Sequence, residues 1–416
     1  MTTSDEVAAA IVRAHRDEWA RVVAGLARRF SDLDLAEEAA AEAFATAVER
    51  WPVDGVPPNP GGWLTTTATR KGIDRLRREG RRTDKERAAM IMVDDSPAPS
   101  SGVVDDDRLR LVFTCCHPAL SMEARVALTL RLIAGLTVSE IAHAFLVPGT
   151  TMAQRITRAK TKIKAAHIPY RVPREADIAE RLGGVLAVIF LVFNEGYLAS
   201  SGDLPIRAEL TGEAIRLGRL LRTLRPDDGE VAGLLALMLL TEARLPARLS
   251  SNGELVTLDS QDREMWDQEL IREGHDLVRE RIASGQAPGR FQLLAAIDAV
   301  HTHAASAGET DWWQIVTLYD RLARIDPSPI VTLNRAVAVA ELDGPDVGVG
   351  VALAALDRVA GRLNGYHAWH VTRAEMLRRL GRISEAREAY GRAIDLAGNP
   401  AERAHLLRRR AQLDES

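Results

Sequence analysis

The chain has 416 residues, of which 54 are Lys or Arg and 58 are Asp or Glu, giving a formal net charge of −4. This length exceeds a single ordinary hydrophobic core, so we expect about two to four domains. Alanine, leucine and arginine predominate, which predicts an all-α fold and excludes collagen-like or low-complexity chains. The N-terminal segment lacks a signal peptide, and the longest apolar run, residues 185–193, is too short to span a bilayer. We therefore expect a cytoplasmic protein without membrane contact.

The first two predicted helices differ in their charge. Residues 5–30 form an amphipathic pattern around Val12, Trp19, Val23 and Leu26. The next helix reads DLAEEAAAEAFATAVERW, and residues 31–49 contain six acids and no base. Such a run is either a solvated helix face or a docking surface for a basic partner. The residues alone favour the solvated face, because exposed charge is common on helices.

A loop, WPVDGVPPNPGG, precedes a third predicted helix, WLTTTATRKGIDRLRREGRR. Its apolar side is formed by Leu64, Ala68, Ile73 and Leu76, while residues 70–82 carry seven bases and two acids. An aromatic ring beside a basic helix suits separated nucleic-acid strands, because rings stack on bases and cations bind phosphates. Trp63 can serve in this way or as a core residue. Residues 83–104 are rich in Pro, Ser and Asp and predict a flexible linker.

The only cysteines, Cys115 and Cys116, are adjacent and precede His117. Three consecutive residues cannot supply the four ligands of a structural zinc site. We interpret the pair as small residues packed at the beginning of a helix, with a redox-sensing role left open.

Residues 136–164, LTVSEIAHAFLVPGTTMAQRITRAKTKIK, predict a helix-turn-helix. Leu146-Val147-Pro148-Gly149 breaks the helix, and Thr150 or Thr151 is expected to cap the next one. The apolar faces are formed by Val138, Ile141, Ala142 and Phe145, and by Met152, Ile156, Ala159 and Ile163. The residues expected on or beside the outward face are Gln154, Arg155, Arg158, Lys160 and Lys162. Residues 150–171 contain six Lys or Arg and no acid, which favours DNA binding over a merely solvated face.

Together, the acidic helix, the WL…DRLRR helix, the linker and the helix-turn-helix resemble a bacterial sigma factor of the extracytoplasmic-function (ECF) branch of the sigma-70 family. The resemblance implies region 2 at residues 1–82, a flexible linker at 83–104 and region 4 at 105–170, without a region 3 between them. It also implies binding to core RNA polymerase, through its β′ and β subunits, and to promoter DNA. One departure is that Ala40 or Ala41 stands where many members have glutamine.

The resemblance assigns roles to individual positions. The helix that docks on the β′ clamp would present Asp34, Glu37, Glu38, Glu42 and Phe44. The loop from Trp51 to Asn59 would receive an unstacked base of the −10 element. The melted strand and adjoining duplex would be held by Trp63, Arg70, Lys71, Asp74, Arg75 and Arg78. The −35 element would be contacted by Thr150, Thr151, Gln154, Arg155 and Arg158.

The remaining residues, 171–416, are not part of a minimal sigma factor. Ala374, Gly381, Ala386, Tyr390 and Ala393 follow the spacing of a tetratricopeptide repeat, which predicts stacked α-hairpins. A second partial match contains Tyr319, Leu322 and Pro327, and an insertion is expected at residues 343–345. The whole chain resembles the ECF subgroup with a tetratricopeptide-like, SnoaL-lacking extension, which is either a regulatory arm or a platform for a protein or peptide ligand.

Other function classes agree less well with the sequence. A one-component helix-turn-helix regulator with a repeat-type sensor would not explain the acidic helix or the WL…DRLRR helix. An enzyme is not expected, because Glu195, Asp259, Asp262 and Glu264 lack a partnered nucleophile. We expect no cofactor and no metal, since His275, His301 and His303 match no ligand spacing.

Overall fold

The computed structural model describes residues 4–80, 107–144, 147–168, 170–171, 175–199 and 205–414. These residues are predominantly α-helical, and the extended pairing among them is an isolated bridge between Leu249 and Leu255. The predicted all-α class is therefore confirmed. The predicted linker, 83–104, lies outside the described residues, as do Phe145 and Leu146 of the predicted helix-turn-helix. Among the helices described, none is long and apolar enough to cross a membrane.

The chain divides into two compact units, Met1–Leu191 and Val192–Ser416. The helices of the first unit are α1 (Ser4–Phe30), α2 (Leu33–Asp54), α3 (Pro60–Gly80), α4 (Asp107–Cys115), α5 (Met122–Leu132), α6 (Val138–Ala144) and α7 (Gly149–Ala165). Helix α8 (Glu175–Tyr197) begins in this unit and contains the boundary.

Helices α1, α2 and α3 pack on one another around small and aromatic side chains. Trp19, Val23 and Leu26 of α1 are buried as predicted, whereas Val12 is 69% exposed and its assignment to the apolar face was wrong. The buried stripe at this end of α1 passes through Val7 and Ala14 instead. Gly72 of α3 lies so close to the Phe30 ring that an added Cβ would come within 2.6 Å of it, so the helices approach closely here.

Helices α4 to α7 follow the predicted order with three corrections. Helix α7 is capped by Pro148 without a side-chain bond, so Thr150 and Thr151 lie in its first turn rather than at the cap. Cys115 ends α4 instead of beginning a helix. Lys160, expected on or beside the outward face of α7, is only 9% exposed because acidic groups of α2 surround its ammonium. Met152, Ile156, Ala159 and Ile163 are buried as predicted.

The second unit continues as a succession of helices that pack on their neighbours along the chain, except that α10 and α12 pack most extensively on each other. They are α9 (Ala208–Leu224), α10 (Gly229–Glu242), α11 (Gln268–Ala283), α12 (Arg290–His303), α13 (Trp312–Ile325), α14 (Pro329–Leu342), α15 (Val349–Leu363), α16 (His367–Arg379), α17 (Ile383–Leu396) and α18 (Pro400–Ala411). The expected insertion coincides with a π-helical turn, Gly344–Gly348.

The repeat-like residues meet where α16 packs on α17. Ala374, Ala386 and Ala393 are fully buried and allow the two helices to approach, while the buried Tyr390 hydroxyl donates to Glu375 Oε2 at 3.2 Å. Gly381, in the turn between the helices, has a φ of +69°, a conformation that favours glycine.

Candidate nucleic-acid interface and the acidic helix

The acidic helix α2 is capped by Asp32, whose carboxylate accepts hydrogen bonds from the backbone of Asp34 and Leu35 at 2.9 and 3.1 Å. This capping satisfies backbone donors that an isolated helix leaves unpaired. Burial would raise the pKa of Asp32, but the bonds from Leu35 and Lys164 outweigh burial and lower it. Asp32 is therefore ionised at neutral pH.

Three acids at the start of α2 bind three bases of α5 and α7. Lys160 of α7 donates to Asp34 Oδ1 at 2.8 Å and also to Glu37. Glu37 accepts a second bond from Arg131 Nε of α5 at 2.5 Å, and Asp32 Oδ2 accepts from Lys164 Nζ at 3.1 Å. We call these six residues the acid–base seam.

Lys160 is the most enclosed cation of the acid–base seam. Burial alone would lower its pKa, but the carboxylates of Glu37 and Asp34 outweigh burial and raise it. Lys160 is therefore charged at neutral pH, and its charge is compensated inside the protein rather than by water. The backbone carbonyl of Leu136 fixes Arg131 by accepting from its Nη1 at 2.7 Å.

The other residues with an expected polymerase role lie further along α2. Glu38 Oε2 accepts from Arg75 of α3 at 2.6 Å, and Glu42 lies 4.0 Å from Lys71 Nζ. Both acids remain more than two-fifths exposed, so these pairs leave them accessible. Phe44 is buried, and its ring lies 5.7 Å from that of Trp19. Its contribution in this structure is to hold α2 against α1.

The residues with an expected −10 role occupy the start and outer face of α3. Asn59 precedes the helix and accepts from the Gly62 backbone at 2.9 Å, which caps its first turn. Trp63 is half-buried, whereas Arg70, Asp74 and Arg78 are exposed. Thr65 and Thr66 are exposed near Trp63, so a ring, hydroxyls and cations share this part of the surface.

Trp51 was expected in the loop that receives an unstacked base, but it lies within α2. Helix α2 continues through Asp54, so only residues 55–59 connect α2 to α3. Trp51 is 1% exposed and its ring lies 5.6 Å from that of Trp63 in an edge-on arrangement. Trp51 therefore supports Trp63 from beneath, and its own face is not available to a base.

The residues with an expected −35 role lie within the first ten residues of α7, away from its buried stripe. Thr150, Gln154 and Arg158 are exposed, and Thr151 and Arg155 are half-buried. Arg158 Nε donates to the Gln154 carbonyl at 3.2 Å, which holds the guanidinium along the helix surface. A row of hydroxyl, amide and guanidinium groups on one helix face matches the donors and acceptors of a DNA major groove.

Sequence reasoning missed Asp32, Arg131 and Lys164 as functional candidates, and it placed Lys160 on or beside the outward face of α7. One signal was available: residues 31–49 contain acids without bases, and α7 contains bases without acids. Their complementarity could have suggested contact within the chain, but Arg131 lies in a predominantly apolar helix and gave no signal of its own.

Comparison with known proteins identifies the segment formed by α1 to α3. Residues 12–82 match sigma-70 region 2, which implies interaction with core RNA polymerase and promoter DNA. Residues 181–282 match a family of unknown function (DUF6596). A protein of Rhizobium meliloti (strain 1021), described as uncharacterized, is 44% identical over 400 residues that cover 95% of this chain and 93% of the relative. The chain therefore belongs to the same family as this relative, and its N-terminal region 2 supports a sigma-70 family factor.

Proposed function

We propose that the protein is an ECF-type sigma factor that binds core RNA polymerase, recognises the −10 and −35 promoter elements and directs transcription initiation. The observation that carries this proposal is the match of residues 12–82 to sigma-70 region 2. Those residues include both the acidic α2 and the basic α3. The basic, acid-free face of α7 in the same unit supports a second DNA contact.

In this proposal α2 is the polymerase dock. Asp34, Glu37, Glu38 and Glu42 supply negative charge for a basic surface of the β′ subunit, and Phe44 maintains the position of α2 from within the core. A further contact with the β subunit is assigned to the region 4 segment, residues 105–170. Complementary charge accelerates and orients association more than it increases affinity.

Helix α3 is the proposed reader of the −10 element. Trp63, supported by Trp51, offers a ring on which a base can stack. Asn59 lies immediately before the first residue of α3. Arg70 and Arg78 extend from the exposed face toward phosphates, while Lys71 and Arg75 lie nearer to α2. Among the described side chains of α3, Asp74 is the acid, and it suits the amino group of a base rather than a phosphate.

Helix α7 is the proposed reader of the −35 element and the second helix of a helix-turn-helix. Its candidate contacts are Thr150, Thr151, Gln154, Arg155 and Arg158. The five lie within the first ten residues of the helix, and the N-terminal part of a recognition helix contacts base edges in this motif.

The test is transcription from a random-sequence promoter library by core polymerase with the full chain, followed by sequencing of the transcript 5′ ends. We expect defined start sites preceded by two enriched sequence blocks. A Trp63→Ala variant should bind core polymerase normally but start few transcripts, because its stacking platform is missing.

Uniform start sites, or no binding to core polymerase, would refute the sigma-factor proposal. A one-component regulator would instead bind duplex DNA tightly without polymerase, with a strong dependence on salt.

The second unit is proposed as a tetratricopeptide-like regulatory extension that binds a protein or peptide. The packing of α16 on α17 around small residues and Gly381 supports the repeat assignment. A cavity of about 860 Å³ in this unit supports ligand binding, and its wall includes Tyr319, Arg379 and Arg409. Substitution of Arg379 by alanine should change transcription without changing the affinity of the sigma domains for core polymerase.

A further inference from the structure

The acid–base seam joins residues to which the proposed function assigns two different binding partners, core polymerase and promoter DNA. Asp34 and Glu37 belong to the proposed polymerase dock, and Lys160 belongs to the helix proposed to read the −35 element. In the structure these residues bind one another, and Glu37 is only 9% exposed. Glu37 cannot contact a polymerase while Arg131 and Lys160 enclose its carboxylate.

Further polar contacts join α1 to the segments around α4 and α7. Arg28 Nε lies 3.1 Å from Asp107 Oδ2, and the Tyr170 hydroxyl donates to the Ala24 carbonyl at 3.0 Å. A cavity of about 330 Å³ lies beside the seam, bordered by Asp32, Lys160 and Lys164. Charge and hydrogen bonds, rather than close packing alone, therefore hold the helices together at this place.

The dimensions of the first unit conflict with simultaneous binding to both promoter elements. A compact unit of about 190 residues is roughly 40 Å across. The centres of the −10 and −35 elements are separated by about 25 base pairs, which is roughly 85 Å of duplex. Helices α3 and α7 of one compact unit cannot reach both elements at once, so α7 must separate from α2 on a promoter.

We propose that the observed arrangement is an autoinhibited state in which the acid–base seam masks Glu37 of the polymerase dock, with Lys160 as its central contact. This inference rests on the proposed function and adds its regulation. Core polymerase competes with Lys160 and Arg131 for Glu37 and Asp34, and its binding opens the seam. Opening frees α7 for the −35 element, which couples polymerase binding to promoter recognition.

The first experiment measures the affinity of the full chain for core polymerase without DNA. Lys160→Met keeps most of the aliphatic side chain but removes the charge that binds Glu37 and Asp34. We expect about tenfold tighter binding, because a larger fraction of the protein is then competent to bind. Lys162→Met is the matched control: Lys162 lies on the same helix, is exposed, and its replacement removes the same charge.

The second experiment uses the unmodified sequence and does not depend on how a variant folds. A carbodiimide joins amines to carboxylates that are in contact, and mass spectrometry identifies the pairs. We expect Lys160 linked to Glu37 or Asp34, and Lys164 linked to Asp32, in the free protein. Addition of core polymerase should abolish these links.

The outcomes separate the inference from the proposed function. Equal affinity of the wild type and Lys160→Met, or seam cross-links that persist in the polymerase complex, would overturn autoinhibition while leaving the sigma-factor proposal intact. Failure of the wild type and every variant to bind core polymerase would overturn both.

Discussion

Cys115 and Cys116 lie side by side at the end of α4, and both thiols are buried. Burial raises the pKa of each, that of Cys116 to about 11, although Thr129 lies 3.6 Å from its sulfur. The thiolate is the reactive form of cysteine, so neither residue has the chemistry of a redox sensor at neutral pH. Their environment favours the packing role over the redox role that the sequence left open.

We therefore expect the folded chain to react slowly with a thiol-specific reagent at pH 8, and rapidly in denaturant. Burial raises the pKa of Cys116 in the folded chain, so folding favours the neutral thiol. This stabilisation is fully present below the ordinary thiol pKa of 9.0 and is lost as the pH rises through about 11. The rate of thiol modification between pH 7 and 11 is the measurement. A fast reaction of the folded protein at pH 8 would contradict this burial.

Among the helices, α7 shows what periodicity predicts and what it cannot. The 3.6-residue period identified Met152, Ile156, Ala159 and Ile163 as the buried stripe, because apolar burial is a local property of the helix. Lys160 lies beside that stripe, and its burial depends on acids more than 120 residues away along the chain. Sequence patterns do not reveal such distant pairs.

The C-terminal end of α2 was not predicted correctly from the sequence, and this changed the position of Trp51 in the candidate site. Pro52 suggested a loop at Trp51, but it lies within the last turns of α2. The helix ends only at Asp54, before Gly55, whose φ is +84°. Burial of Trp51 against Trp63 outweighs the local preference of proline for a helix break. Asn59, Arg70 and Arg78 are exposed, which agrees with the sequence pattern.

For α7 we expect Arg158→Ala to weaken binding of the polymerase complex to promoter DNA. If Arg158 reads a base, the substitution should cost about 1–3 kcal/mol and relax sequence preference there, whereas if it binds a phosphate, the salt slope should fall by about one. Filter binding at several salt concentrations distinguishes the two. Arg13→Ala, which removes the same charge from an exposed site on α1, should have little effect. Equally weakened binding in both variants would indicate a general effect of charge.

For the α16–α17 turn we expect the same substitution at two glycines to have opposite effects. Gly381→Ala should destabilise the second unit by about 1–2 kcal/mol, because its φ of +69° strains any residue with a Cβ. Gly391→Ala, inside α17 with open space around its Cα, should stabilise it by about 0.5–1 kcal/mol. Urea unfolding of the full-length variants checks both signs. Destabilisation by both would mean that the helix around Gly391 tolerates no side chain.

At the scale of the whole molecule, the boundary between the two units lies within α8. A Cβ added at Gly184 of α8 would lie 3.3 Å from Nη1 of Arg125 in α5. The pKa of His117 is lowered first by burial and then by the positive charge of Arg181 in α8. Ile178, Leu182 and Val185 are buried. The first half of α8 therefore belongs to the first unit, whereas the sequence placed the start of the extension at residue 171.

We expect a fragment of residues 1–191 to melt at least about 4 °C above a fragment of residues 1–173, because the shorter one lacks the apolar face of α8. Circular dichroism during heating is the measurement, with the full chain as reference. Identical melting curves for the two fragments would show that α8 adds no stability to the first unit.

The acid–base seam also constrains how this family can change over evolution. If Glu37 serves both core polymerase and the seam, the polymerase fixes the acid, and variation is left to the basic partners. Positions 131 and 160 should then exchange lysine for arginine but not for neutral or acidic residues. In related sequences, basic residues at positions 131 and 160 should therefore accompany the acid at position 37. Such a correlation would be evidence that these helices, which lie far apart in the chain, are in contact.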